Sequence, residues 1–120
     1  MITAHSLRNI CREYHGAYED TPFGPDTLTM KVMGKVFAFI PLDTPDTRIA
    51  VKGTPERISE LREQYADVVK GAYLNSKHWT TIICNGDVPP DVLYAAIAES
   101  YRLVVKGLTR MQRAELASLP

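Results

Sequence analysis

Residues 27–52 read TLTMKVMGKVFAFIPLDTPDTRIAVK. In the first six positions Leu28, Met30 and Val32 alternate with Thr27, Thr29 and Lys31, the period-2 pattern of a strand with one buried and one wet face. Met33-Gly34 has the length of a hairpin turn, with glycine supplying positive φ. Val36 to Ile40 is apolar at every position, as in a central strand covered on both sides. A turn-rich loop, Pro41 to Thr47, follows. Arg48 to Lys52 alternates again, with Ile49 and Val51 inward. Three strands joined by short links predict an antiparallel sheet.

The flanks predict helices. Before this block, Leu7, Ile10, Cys11 and Tyr14 fall on one helical face within residues 3–15, with Thr3 as N-cap and Gly16 suited to the end of the helix. Residues 17–26 (AYEDTPFGPD) read as irregular, because Pro22, Gly24 and Pro25 break any period. After the block, Thr54 and Pro55 open a second helix with Ile58, Leu61 and Tyr65 as its stripe. A short extended piece is expected around Ala72-Tyr73-Leu74, then a tight turn at Asn75-Ser76-Lys77 and a strand from Trp79 to Cys84. Pro89-Pro90-Asp91 opens the longest helix, striped by Leu93, Ile97, Tyr101, Val104 and Leu108. Thr109 caps a last short one. The expected fold is α+β in two layers: α-β3-α-β2-α(α), with a mainly antiparallel five-stranded sheet and helices on one face.

The chain of 120 residues is expected to form one domain spanning 1–120, large enough to bury roughly two thirds of its unfolded surface. Its 14 basic and 14 acidic residues cancel, so a strong long-range field is not available to draw in a polyanion. The charges are unevenly spread. Residues 13–26 hold Glu13, Glu19, Asp20 and Asp26 without a base, and residues 100–114 hold Arg102, Lys106, Arg110 and Arg113 without an acid. The molecule should be dipolar. The N-terminal stretch lacks an apolar signal core and no window approaches a membrane span, so a cytoplasmic location without membrane partners is expected.

Reactive constellations are not expected. Cys84 and His78 lie about 20 Å apart along one strand, beyond hydrogen-bond reach. Cys11 and His15 are four apart on a helix, where a core cysteine beside a helix-end histidine is the plainer reading. The histidines have no metal-ligand spacing, and no glycine-rich phosphate loop occurs. No catalytic residue, metal or cofactor is expected. The segment KGAYLNSKHW (70–79) is distinctive, placing Lys70, Lys77, His78, Tyr73 and the sole tryptophan, Trp79, within ten residues. Such a set can grip a phosphate backbone and stack on bases. It can equally anchor a strand, with Asn75 supplying the turn.

The pieces HGAYEDTPFG (15–24), MGKVFAFI (33–40), AVKGTPE (50–56), LREQYADV (61–68), AYLNSKHWTTI (72–82) and ESYRLVVKGL (99–108) resemble, in order, the MmcQ/YjbR family. The resemblance implies a CyaY-like or secretion-chaperone-like two-layer fold. It also implies DNA binding through a proposed double-wing arrangement, and it carries no catalytic residues. His15 stands where that family often has proline, and Ser76 where a basic residue is common, which removes a charge from the contact loop. Tyr73, Leu74, Asn75, Trp79 and Tyr101 are the signature positions expected to maintain the fold. The candidate nucleic-acid contacts are Lys31, Lys35, Arg48, Lys52, Lys70, Lys77 and His78. The alternative is a protein-interaction module or homodimer, in which the acidic and basic stretches complement one another.

Overall fold

The computed structural model describes residues 1–71 and 74–120. Helix α1 spans Ala4–Arg12; Thr3 accepts from the Ser6 amide, and the Ser6 hydroxyl in turn accepts from the Thr3 amide. This reciprocal pair satisfies two amides that the helix end would otherwise leave open. The chain then turns at Gly16, with φ +71°, where a Cβ would stand 2.5 Å from Leu116 Cδ1. Strands β1 (Ala17–Asp20), β2 (Thr27–Val32), β3 (Lys35–Pro41) and β4 (Arg48–Lys52) follow. Met33 and Gly34 both have positive φ, 49° and 80°, the twist that joins β2 to β3 without splaying them. Helix α2 (Pro55–Gln64), strands β5 (Val68–Val69) and β6 (Trp79–Ile83), and helices α3 (Pro90–Lys106) and α4 (Arg110–Ser118) complete the chain. Thr54 and Thr109 cap α2 and α4 through the amides of Arg57 and Gln112.

Among the described residues the sheet has six strands, not five, in the order β1-β2-β3-β4-β6-β5, and every neighbouring pair is antiparallel. Two corrections produce that count. Ala17–Asp20, expected to be irregular, pairs with β2 as an edge strand. The extended piece expected around residues 72–74 falls largely outside the described residues, and the short strand that precedes β6 is Val68–Val69.

Register divides the sheet into two faces. Met30, Ala38, Val51 and Thr80 share one face, as do Ile49, Ile82 and Val68. A bulge at Met30/Lys31 leaves Phe37 unmatched on β3 and turns it to the same side. There its ring meets Tyr14 of the α1 end and Tyr101 of α3 edge-on, at 6.1 and 5.4 Å. The helices supply Leu7, Cys11, Leu61, Leu93, Ile97, Val104 and Leu116 to this one buried cluster. Each such large apolar side chain contributes roughly 1.5–3 kcal/mol when fully withdrawn from water.

Helix α3 does one thing its apolar stripe does not announce. Ser100 is fully buried between Ile97 and Val104. Its hydroxyl donates to the Phe37 carbonyl at 2.6 Å and accepts from the Lys52 amide at 2.9 Å. The β3–β4 ladder pairs Ala38 with Val51 and Phe39 with Ala50. Toward Lys35 and Lys52 the helix hydroxyl stands in for the missing rung, and the two strands part.

Candidate functional site: the sheet face away from the helices

The same register puts Thr29, Phe39, Ala50 and Thr81 in a row on the face away from the helices, with Lys31, Arg48, Lys52 and Trp79 on that side too. This face has an aromatic floor. The rings of Phe39 and Trp79 meet at 5.4 Å and 60°. Phe23, 71% exposed in the β1–β2 connection, leans over Phe39 at 6.3 Å. Two concavities flank Phe39. The larger, about 720 Å³, runs between Phe23, Pro41, Arg48, Lys70 and Thr81. The smaller, about 440 Å³, lies at the strand end where β3 and β4 part, bounded by Lys35, Val36, Lys52 and Trp79 of the sheet and closed by Val104 and Gly107 of the α3 end.

The seven candidate contact residues divide into two groups. Lys31 and Arg48 are engaged by carboxylates. Lys31 Nζ donates to Asp20 Oδ2 at 3.0 Å, and Arg48 makes a two-pronged contact with both Asp46 oxygens at 2.7 Å. Both acids are held below the ordinary carboxylate range, chiefly by these hydrogen bonds. Lys35, Lys52, Lys70, Lys77 and His78 belong to none of the ion pairs found among the described residues, which are those two plus Arg8–Glu19, Arg57–Glu60 and Arg102–Glu99. All five are exposed except Lys52, which is half-buried.

Topology gathers these cations. The Met33–Gly34 turn before Lys35, the end of β4 at Lys52, the start of β6 after Lys77 and His78, and the end of α3 at Lys106 all lie at one end of the strands. The opposite end carries Asp20, Asp26, Asp43, Asp46, Asp67 and Asp87 in its turns. Of the acidic stretch 13–26, Asp20 and Asp26 therefore lie at the end of the strands opposite Lys35 and Lys52. Part of that stretch is neutralised, since Glu19 and Asp20 are paired with Arg8 and Lys31.

Of the signature positions, Tyr73 lies outside the described residues. Asn75 braces its loop: its carbonyl accepts from the His78 and Trp79 amides, and its Oδ1 accepts from the Lys77 amide. Leu74 is half-buried and borders both concavities. Trp79 is half-buried at the aromatic floor. Tyr101 donates to the His15 carbonyl at 2.6 Å and packs on Tyr14 at 4.9 Å. Arg62 is spent on the Ser76 and Trp79 carbonyls and on Thr80 Oγ1, so it fixes the same loop rather than facing a ligand. Cys11 and Cys84 are both buried, which pushes their thiols up to about 12 and about 11.

Ser100 is the residue the sequence reading missed. A signal was present: a serine at the 3–4 spacing Ile97–Ser100–Val104 occupies a core-facing position, where a polar group needs a partner. Another unanticipated feature is the Asp67–Asp87 pair. Asp87 accepts from the Ala66 and Asp67 amides, and Asp67 accepts from the Asp87 amide, which ties the α2–β5 connection to the β6–α3 connection.

An antiparallel sheet with its helices on one side, and on the other a face where Thr29, Ala50 and Thr81 are buried and Phe39 and Trp79 half-buried, defines a small two-layer α+β protein. The chain belongs to the YjbR family, whose model matches residues 12–103. It is 27% identical to Escherichia coli K12 "Uncharacterized protein YjbR" over 118 residues, covering 98% of this chain and 100% of that protein. It is 28% identical to "Uncharacterized protein YbdF" of Escherichia coli O157:H7, covering 74% of this chain and 73% of that one. The crystal structure of a Deinococcus radiodurans protein described by the domain name DUF419 superposes with a TM-score of 0.90 at 36% identity, over 100% of this chain and 91% of that one. A Pseudomonas syringae protein shares the fold at a TM-score of 0.74 and 19% identity, covering 85% of this chain and 98% of that one.

Proposed function

We propose that this protein is a non-catalytic binding protein for nucleic acid, and that it binds through the aromatic face away from the helices and the basic end of its sheet. One observation carries the reading: Lys35, Lys52, Lys70 and Lys77 are without carboxylate partners among the described residues, and Lys35 and Lys52 border a concavity lined by the half-buried Phe39 and Trp79. Lysines without acid partners can exchange the counterions of a phosphate backbone for direct contact, while Lys31 and Arg48 would first have to give up Asp20 and Asp46. Zero net charge is compatible with this, because six of the aspartates lie in the turns at the far end of the strands.

Titration of labelled duplex and single-stranded DNA at two salt concentrations tests the reading. With four phosphates engaged, affinity should fall roughly 50- to 150-fold between about 50 and 200 mM salt. Absence of salt-sensitive binding to either form would refute it.

A second reading has its own support in the segregation of charge. The acidic and basic ends are complementary, so copies could meet end to end. Light scattering at increasing protein concentration should then show salt-sensitive association; an unchanging monomer at micromolar and higher concentration would dismiss self-association.

A further inference from the structure

We infer that the nucleic acid taken by this face is single-stranded, with one base lodged against Trp79 in the notch between β3 and β4 and neighbouring phosphates held by Lys35 and Lys52. This deepens the nucleic-acid reading above and rests on it.

The geometry of the notch points to an unpaired base. Beyond the Ala38–Val51 pair the strands separate, because Ser100 takes the Lys52 amide and the Phe37 carbonyl. The concavity there has about 440 Å³ of space and is backed by Val104 and Gly107 at the end of α3. One side is the half-buried indole of Trp79, with the Phe39 ring edge-on to it. Lys35 and Lys52 stand on its rim, one from each separated strand. A flat apolar wall with two cations beside it matches a nucleotide unit, which has a π face and an anionic link.

A duplex cannot use this arrangement well. Its base faces are buried in the stack, so it presents only base edges and phosphates. It would engage the lysines and leave Trp79 idle. A single strand can turn a base out and gain the stacking term, which is tolerant of sequence because every base has a π face. The larger concavity on the other side of Phe39 continues the apolar surface past Phe23 to Lys70, so a second nucleotide can follow the first across the sheet.

Trp79 is the sole tryptophan, so indole emission reports the surroundings of this one side chain. Wild-type protein is titrated with a thymidine oligonucleotide, with the same oligonucleotide carrying abasic sites, and with duplex of equal length at one salt concentration. The intact single strand should quench the indole and bind at least about tenfold more tightly than the abasic strand or the duplex, the effect of one stacked base. Trp79→Leu, read by anisotropy of the labelled strand, should lose a similar factor while the salt dependence is retained. Equal binding of duplex, or single-strand binding that neither quenches Trp79 nor depends on the bases, would overturn this inference and leave nucleic-acid binding standing. No binding to any of the three would overturn both. Should Trp79→Leu fail to fold, the quench and the abasic comparison in wild-type protein decide the matter.

Discussion

Replacing Ser100 with alanine should cost this protein a large part of its stability, although only one oxygen is removed. The hydroxyl is fully buried and serves two backbone groups, the Phe37 carbonyl and the Lys52 amide. The bond to the Phe37 carbonyl is buried and the bond from the Lys52 amide is partly buried. Leaving these two backbone groups without their partner costs about 2–4 kcal/mol, the partly buried one contributing the smaller share. For a chain of 120 residues, an unfolding entropy of about 0.25 kcal/mol/K converts that into a melting shift of about 8–16 °C. Urea denaturation followed by circular dichroism measures the free energy, and calorimetry measures the midpoint. Ser59→Ala, on the exposed side of α2, is the control and should stay within about 0.5 kcal/mol of wild type. If Ser100→Ala also stays within that margin, the hydroxyl is not the missing rung between β3 and β4, and the reason given for the notch fails with it.

Three further outcomes are expected. The double variant Lys35→Gln/Lys52→Gln should weaken nucleic-acid binding at least about tenfold, roughly the loss of two phosphate contacts, whereas Lys31→Gln should change it less than about twofold; the reverse ranking in an anisotropy titration would contradict the division of the cations into engaged and available. The Arg8 hydrogen bonds hold the Glu19 carboxyl below its ordinary value of 4.5, so this pair adds stability that is fully present above that value and is lost as pH falls through the lowered one. The stability gap between wild type and Glu19→Gln should therefore close on acidification, and a gap that widens below pH 4.5 would be inconsistent with the pairing. With Cys11 pushed up to about 12 and Cys84 to about 11 by burial, both thiols should resist a disulfide reagent in the folded state at neutral pH and react only at the rate of unfolding; rapid labelling of either would show that its burial is not maintained.

Much of the fold was legible because local chemistry and hydrophobic period agreed. Thr3, Thr54 and Thr109 start helices as their caps require, and the TLTMKV and RIAVK alternations fix which side chains leave the core. That same parity put Lys31, Arg48 and Lys52 on the face away from the helices. Strand β1 was hidden because its inward position, Glu19, is charged; it faces the helix layer only because Arg8 of α1 meets it there. No period in four residues flanked by glycine and proline could express that pairing. Strand β5 has two residues, too few for any pattern.

The candidate site was legible as a list of cations and not as a surface. Lys31 and Arg48 look like Lys35 and Lys52 in sequence, and what separates them is the nearness of Asp20 and Asp46 across a strand pair and a turn. Arg62 likewise looks available, and its three contacts in the 76–80 region come from α2 lying beside β6. Phe39 and Phe23 carry no signal beyond apolarity. Their contact with each other and with Trp79 depends on the register of β3, β4 and β6.

Amide chemical-shift mapping with a short thymidine oligonucleotide addresses the ligand surface directly. Shifts should concentrate at Lys35, Val36, Phe39, Lys52, Lys77 and Trp79, with the indole N–H of Trp79 among the most displaced, and should shrink as salt is added. Shifts gathered instead on the aspartate-rich turns or on the helix layer, or a spectrum left untouched at millimolar oligonucleotide, would mean that the basic end of the sheet is not where this protein meets its partner.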